Sequence, residues 1–266
     1  MKNDDFGDRM KGYEAVETSR TLDPMLPIYA RIDGRSFSAF TKGMERPYDP
    51  RMTKAMIETT KALVAETHAR IGYTQSDEIS LIWLVDSPTS QIFFNGKIQK
   101  MVSIIASLAT VNFNNQIRKI GFEDKYLDKL PHFDARIFQL PSLMEGANAF
   151  LWREMDASKN AISMAAHALY STKELHGKNS YDKLLMIQEK GIDYDAYPAS
   201  FRRGTFVRRV TREVTLTPET LSKIPLLKRP NGPVLRSSVE EIKLPTFRDV
   251  TNRVDVIFNG ADVETI

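Results

Sequence analysis

Short apolar runs of strand length occur in three parts of the chain. Residues 26–32 predict a first strand, residues 73–85 predict a two-stranded hairpin, and residues 133–140 predict a last strand. The segments 49–71 and 97–119 have the apolar spacing of helices, and the first of them opens with the helix-starting pair Asp49-Pro50. The order strand, helix, two strands, helix, strand is typical of a ferredoxin-like, split βαβ unit. We therefore expect an α+β fold with an antiparallel sheet.

The remaining sequence predicts additions to this unit. Residues 1–25 indicate an N-terminal helix that ends at Pro24, and residues 144–190 indicate a helical insertion. From residue 217 onward proline and charged residues are frequent and the apolar runs are short. We expect residues 1–215 to form one domain and residues 216–266 to form a C-terminal extension packed on it, with a late strand at residues 254–258.

Acidic residues stand where two of the predicted strands end. Asp33 lies in residues 31–37, Arg-Ile-Asp-Gly-Arg-Ser-Phe, and Asp77 lies in the hairpin turn of residues 75–78, Gln-Ser-Asp-Glu. Strand ends are places where a rigid scaffold presents reactive side chains. Two such carboxylates could hold Mg²⁺, which prefers oxygen ligands and shares them with substrate phosphates. Each motif alone also fits an ordinary polar turn.

The residues after Asp33 are expected to bind phosphate through their backbone. Gly34 allows the chain to bend sharply, which leaves the amides that follow it, through Ser36 and Phe37, free to point at an anion.

Basic residues could support the same chemistry. Lys97 and Lys100 fall in the first turn of the second long helix, where positive charge opposes the helix macrodipole. This placement predicts that they bind a triphosphate at the free helix amides. Arg46 lies in the loop of residues 38–48, which could fold over the same group. The alternative is that all three are solvated surface residues.

Composition narrows the class of protein. The chain has 266 residues, of which 42% are hydrophobic, so it can bury a core, and it contains no cysteine. Disulfides, thiolate zinc sites and cysteine nucleophiles are therefore excluded. No apolar run is long enough to span a bilayer, and residues 1–9 lack the basic-then-apolar order of a signal peptide. We expect a cytoplasmic protein with an oxygen-ligated metal.

Five motifs together resemble those of the tRNA(His) guanylyltransferase family. They occupy residues 31–37, 75–78, 133–136, 152–156 and 201–205, in the family's order. The resemblance runs from about residue 8 to residue 210. Members of this family add nucleotides to the 5′ end of tRNA, in the direction opposite to ordinary polymerases, on a polymerase palm domain.

The resemblance implies roles for individual residues. Asp33 and Asp77 match metal-binding carboxylates that hold two Mg²⁺ ions, with the Gly34 carbonyl as a further ligand and Glu78 beside the site. The residues that match nucleotide and triphosphate contacts are Arg35, Ser36, Phe37, Arg46, Ser76, Lys97 and Lys100. ATP and GTP are the implied substrates: one of them activates a 5′-phosphorylated tRNA, and the 3′ hydroxyl of an incoming nucleotide then attacks the activated end. A homo-oligomer, a tetramer in the family, is also implied.

One departure changes the expected substrate. Eukaryotic members carry His-Ile-Asn-Asn-Leu-Tyr-Asn after the fourth motif, whereas residues 158–164 of this chain read Ser-Lys-Asn-Ala-Ile-Ser-Met, in which only Asn160 is kept. The chain is therefore more similar to the bacterial, archaeal and phage-borne "like" branch, whose members rebuild truncated 5′ ends of various tRNAs with a template. Asn160 is expected to contact RNA, or else to be an amide that caps or packs a helix.

A basic segment follows at residues 201–212. It holds five arginines and no acidic residue: Arg202, Arg203, Arg208, Arg209 and Arg212. Such a strand, with Phe201 and Phe206 among the arginines, is suited to contact the tRNA backbone through charge and shape. The alternative is an edge strand that uses charge to avoid aggregation.

The sequence therefore predicts a tRNA 5′-end nucleotidyltransferase. Two other classes remain open. A palm-fold nucleotidyl cyclase or signalling-nucleotide synthase would need the same carboxylates, although the arginine segment argues against it. A non-catalytic RNA-binding protein on a palm would not need the carboxylates Asp33, Asp77 and Glu78, which are all intact.

Overall fold

The structure is a computed structural model that describes residues 5–266. The helices are α1 Asp5–Thr18, α2 Phe37–Phe40, α3 Pro50–Thr67, α4 Ile98–Ile120, α5 Asp124–Leu127, α6 Leu143–His167, α7 Ser180–Glu189, α8 Ala199–Arg203 and α9 Pro218–Ser222. The strands are β1 Ile28–Gly34, β2 Ile71–Gln75, β3 Glu78–Trp83, β4 Phe133–Gln139, β5 Thr205–Val214 and β6 Val234–Ile242. None of the helices in residues 5–266 combines the length and the apolar character needed to cross a membrane.

The six strands form one sheet in the order β4-β1-β3-β2-β5-β6, and all neighbours are antiparallel. The first four strands have the order of the ferredoxin-like unit, so the expected α+β palm-like fold is confirmed. β5 and β6 extend the sheet beyond β2. β6 lies within the C-terminal residues 216–266 and pairs with β5 from Phe206 to Val214.

Side chains alternate along each strand, so both faces of the sheet carry apolar residues, and helices cover both faces. From β1, Ile28, Ala30 and Ile32 face the core beneath α3 and α4. Tyr29 faces the other way and packs edge-on against Phe150 of α6, with ring centroids 5.1 Å apart. This arrangement places α6 across the face of the sheet on which Arg31 and Asp33 also lie.

Two predicted elements differ from the structure. The N-terminal helix ends at Thr18 rather than near Pro24, and no residue of α1 is buried. Residues 1–4 of the prediction lie outside the described residues. The strand predicted at residues 254–258 is wrong: the chain forms a π-helical turn over Asp255–Asn259, whose apolar side chains fill the core under α6. A short apolar run does not distinguish a buried helical turn from a strand.

Candidate active site

The ends of β1 and of the β2–β3 hairpin meet at one edge of the sheet. Asp33 is opposite Glu78 in the β1–β3 register. The Gly34 N–H donates to the Asp77 carbonyl at 3.0 Å, which ties the two acidic turns together. The hairpin turn requires a left-handed residue, and Ser76 adopts it with φ of 52°.

Gly34 is needed for a different reason from the expected one. Its φ is not positive; the left-handed residue of this turn is Ser36, with φ of 57°. Instead, a Cβ at Gly34 would lie 2.3 Å from Cδ2 of Phe37. The Phe37 ring is buried against Phe133 and Phe113. Glycine therefore allows the ring of Phe37 to pack directly under the turn that carries Asp33.

A cavity of about 540 Å³ opens over the two acidic turns. It brings together six of the residues predicted from the sequence, namely Asp33, Arg46, Ser76, Asp77, Glu78 and Asn160. Helix α6 supplies one wall of the cavity. Its residues there that were not predicted as site residues are Arg153, Ser163, Met164 and His167. The spacing of these α6 residues, with Asn160, is that of one helix face, so the sequence does hold a signal once α6 is known to cross the site.

The carboxylate end of this cavity is suited to a cation. Burial raises the pKa of Asp77, the Ser76 hydroxyl opposes that rise by hydrogen bonding, and the charge of Asp33 adds to it. The two carboxylates therefore repel each other when both are ionised. Within residues 5–266, no group of three or more His, Cys, Asp or Glu side chains is arranged to hold a metal ion. A cation here would complete its ligands with backbone carbonyls, water or phosphate oxygens, as Mg²⁺ does.

Glu78 is held by an ion pair. Arg153 of α6 donates from Nε and Nη2 to the two Glu78 oxygens at 2.6 and 2.8 Å, and its Nη2 also donates to Asp156 at 3.0 Å. Burial raises the pKa of Glu78, and the hydrogen bonds from Arg153 act against that rise. The Trp152 ring lies against the guanidinium groups of Arg153 and Arg31. The fourth motif thus serves to fix Glu78.

The other predicted nucleotide contacts after Asp33 have separate surroundings. Nη1 of Arg35 lies 3.2 Å from Nε2 of His132. Phe37 is 3% exposed, so its ring belongs mainly to the core. The Ser36 and Phe37 amides have no acceptor in residues 5–266, and their contact with phosphate stays a prediction.

A second, more apolar cavity of about 320 Å³ adjoins the first. Its walls include Met44, Tyr48, Met52 and Phe201, and both cavities share Ser76 and Asp77. The rings of Tyr48 and Phe201 stack with centroids 4.7 Å apart. An apolar group bound there would lie beside the carboxylates.

Lys97 and Lys100 lie at the opposite end of the sheet. Lys97 pairs with Thr21, and Phe93 just before it stacks on Trp83. Trp83 is the partner of Ile28, five residues before Asp33 on β1. At about 3.4 Å per residue, that is about 17 Å along the strand. Within a single chain, Lys97 and Lys100 therefore do not reach the cavity. Their contact with a triphosphate stays a prediction.

The arginine segment is not the strand that was expected. Arg202 and Arg203 belong to α8, and the chain turns at Gly204, with φ of 81°, before β5 begins. The edge-strand alternative is wrong because β5 lies between β2 and β6. Each arginine has a partner within the chain: Arg202 binds Asp195, Arg203 binds Glu154, Arg208 binds the Ala261 carbonyl, Arg209 binds the Ala65 carbonyl and Arg212 binds Glu240. RNA binding by Arg202, Arg203, Arg208 and Arg209 stays a prediction.

Comparison with known proteins identifies the family and supports the fold. Residues 7–141 match the family described as tRNAHis guanylyltransferase. The tRNA(His) guanylyltransferase of Saccharomyces cerevisiae is 30% identical over 79% of this chain and 92% of its own length. A bacterial tRNA(His) guanylyltransferase-like protein solved in complex with ATP is 40% identical, with a TM-score of 0.71 over 76% of this chain and 88% of that one. A bacterial structure of the same description, in complex with GTP, is 33% identical, with a TM-score of 0.72 over 92% of this chain and 94% of that one. The chain therefore belongs to the tRNA(His) guanylyltransferase family, which includes the bacterial guanylyltransferase-like proteins, and it is a nucleotidyltransferase.

Proposed function

We propose that this chain rebuilds shortened 5′ ends of tRNA by adding nucleotides in the 3′-to-5′ direction. In the first step a 5′-phosphate oxygen of the RNA attacks the α-phosphorus of ATP or GTP and pyrophosphate leaves. In the second step the 3′ hydroxyl of an incoming triphosphate attacks the activated 5′ phosphorus, and the activating nucleotide leaves as its monophosphate. The observation that carries the proposal is the convergence of Asp33, Asp77 and Ser76 on one cavity with Arg46.

The carboxylate end of the cavity would hold Mg²⁺. Asp33, Asp77 and the Gly34 carbonyl supply oxygen donors, and the mutual repulsion of the two carboxylates favours a bound cation. When bound, two such ions offset the negative charge of the phosphates that react.

The protein's own groups orient the triphosphate. Arg46 faces the cavity from its loop, and the free Ser36 and Phe37 amides offer two donors to a phosphate. The apolar cavity at Met44, Tyr48 and Phe201 is suited to a nucleobase, because an aromatic and aliphatic wall favours a flat, weakly polar group.

The RNA would enter along α6. Asn160 and His167 line the same cavity from α6, about two and four helical turns beyond Arg153, and both residues are exposed. A 5′-phosphorylated end placed there would enter the cavity that Asp33 and Asp77 line. The ATP- and GTP-bound relatives support the choice of triphosphates.

The test is 5′ extension of a 5′-phosphorylated tRNA that lacks its first nucleotide, with Mg²⁺ and each triphosphate in turn. We expect the wild type to add only the nucleotide that matches the template, and Asp33→Ala to abolish addition. Asp124→Ala, which removes an exposed carboxylate outside the cavity, is the matched control and should retain activity. Consumption of triphosphate without an RNA product would instead indicate a cyclase-like enzyme. RNA binding without consumption would indicate a non-catalytic protein.

A further inference from the structure

Glu154 is a buried carboxylate next to Arg153. It is 2% exposed, and it lies on the side of α6 that faces away from the cavity. Ionisable side chains are rarely buried without a partner, because transfer of a charge out of water is costly. The partners of Glu154 therefore indicate what this residue does.

Those partners belong to the C-terminal part of the chain. The Phe247 N–H donates to Oε2 of Glu154 at 2.7 Å, and Nη1 of Arg203 lies 3.6 Å from Oε1. Arg203 also donates from Nη2 to the Leu244 carbonyl at 2.6 Å. We call Glu154, Arg203, Leu244 and Phe247 the Glu154 clamp. It joins the middle of α6 to the end of α8 and to the segment that follows β6.

The rest of the buried face of α6 consists mainly of small residues. Apart from Glu154 and Phe150, its buried residues are glycine and alanine. Small side chains form low ridges, which interlock less with a neighbouring element than large side chains do. A charged group with fixed hydrogen-bond partners defines the position of the helix more strongly than these residues do.

Arg153 and Glu154 are about 100° apart around the helix axis, because they are consecutive residues of an α-helix. Arg153 points to Glu78 on β3, and Glu154 points to the clamp. A rotation of α6 that loosened the clamp would therefore also move the guanidinium of Arg153 off the Glu78 carboxylate.

We propose that Glu154 is a positioning residue, which anchors α6 to the C-terminal segment 244–247 and thereby holds Arg153 on Glu78 at the active site. The proposal rests on the proposed function for its link to nucleotide addition. It gives residues 244–247, whose role the sequence did not reveal, a place in the catalytic scaffold. Burial raises the pKa of Glu154 to about 7, and the Phe247 amide and Arg203 oppose that rise only in part. A buried carboxylate at this position therefore costs folding free energy that an apolar residue would not cost.

The first test is a rate comparison at saturating triphosphate. Glu154→Leu fills the same space without a charge and removes both hydrogen-bonding links, and we expect kcat for 5′ addition to fall about tenfold, as for other residues that orient an active-site group. Glu154→Gln keeps an acceptor for the Phe247 N–H and should recover most of that rate. Ser142→Ala removes the N-cap of the same helix, which bonds the Glu145 amide, and should lower Tm without lowering kcat.

A double-mutant cycle separates positioning from stability. In an Arg153→Lys background, Glu154→Leu should have little further effect on kcat, because the interaction through which it acts is already weakened. Its effect on Tm should persist. Equal losses of kcat in both backgrounds would overturn the proposal.

The second test does not depend on activity. The Nε–H of Arg153 should give a slowly exchanging NMR signal in the full-length chain, assigned by its loss in Arg153→Lys. We expect Glu154→Leu to broaden or remove this signal and Ser142→Ala to leave it. A signal unchanged in Glu154→Leu would overturn the positioning role even if the wild type adds no nucleotides, whereas loss of the signal without any nucleotide addition would support positioning and refute the proposed function alone.

Discussion

Arg153 donates two hydrogen bonds to Glu78 across a sequence separation of 75 residues. The pair is nearly enclosed: the side chains of Arg153 and Glu78 are 11% and 15% exposed. Burial alone would lower the pKa of Arg153, and the pairing with Glu78 reverses that effect and raises it. The two groups therefore depend on each other to remain charged away from water.

Removal of one partner of this pair should destabilise the fold. Arg153→Ala leaves a mostly buried carboxylate without its cation, and we expect the free energy of unfolding in urea to fall by about 3 kcal/mol. Glu78→Gln in the same chain should recover part of the loss, because no charge is then left unpaired. Lys223→Ala, which breaks a fully exposed ion pair with Glu219, should change stability by less than about 1 kcal/mol. Equal effects of Arg153→Ala and Lys223→Ala would contradict this account.

Gly34→Ala should disturb the turn that carries Asp33. The new Cβ would lie 2.3 Å from the Phe37 ring, which cannot retreat because Phe40 and Phe133 pack against it. We expect a loss of about 1–3 kcal/mol in unfolding free energy, typical of overpacking, together with a loss of nucleotide addition.

Gly12→Ala is the matched control for Gly34→Ala. Gly12 lies in the exposed helix α1, and apart from the adjoining backbone of that helix no atom of residues 5–266 is within 4 Å of a Cβ built there. Alanine favours helix more than glycine by about 1 kcal/mol, so Gly12→Ala should keep or slightly raise stability. If thermal melting showed the two substitutions to be alike, the close approach of Phe37 would not be the reason for glycine at position 34.

Arg46 should affect triphosphate binding more than stability. Its side chain is exposed in the loop and faces the cavity, so Arg46→Ala removes a charge without opening the core. We expect KM for the triphosphate to rise about tenfold, equivalent to about 1.4 kcal/mol, with Tm unchanged. Lys54→Ala removes an exposed positive charge from α3 outside this cavity and should leave KM as it is. A rise in KM of similar size for Lys54→Ala would show that only net charge matters.

The sequence predicted the central unit well because local patterns specify it. The strand and helix bounds around Asp33 and Asp77 follow from alternation and from the Asp49-Pro50 start, where Asp49 indeed accepts the Arg51 amide. The meeting of Asp33 with Asp77 follows from topology, since β1 ends beside the start of β3.

The features that local sequence patterns did not reveal depend on distant parts of the chain. The arginines of β5 looked unpaired because Glu240, which lies opposite Arg208 and forms an ion pair with Arg212, comes from β6 about 30 residues later, in a segment that resembles a loop. Lys97 was expected near phosphate, yet β3 runs away from the site and α4 begins beside its far end. Arg153 was part of a recognised motif, but nothing local shows that its partner is Glu78.

Stability should depend on pH through Glu154. Its pKa is about 7 in the folded chain and its ordinary value is 4.5, because burial disfavours the charged form. Between these pH values the folded state binds more protons than the unfolded state, so the stability contributed by Glu154 is complete below about pH 4.5 and is lost as the pH rises through about 7. Glu154→Gln cannot lose a proton and should lack this dependence.

The measurement is urea unfolding of the wild type and Glu154→Gln from about pH 5 to about pH 8, over which the wild type should lose up to about 3 kcal/mol relative to the variant. Glu66→Gln, at an exposed position of α3, is the control and should follow the wild type at every pH. A constant difference between wild type and Glu154→Gln would mean that Glu154 is already charged at low pH, and that the Phe247 amide and Arg203 outweigh its burial. The Glu154 clamp would then still hold, with Glu154 charged over the whole pH range measured.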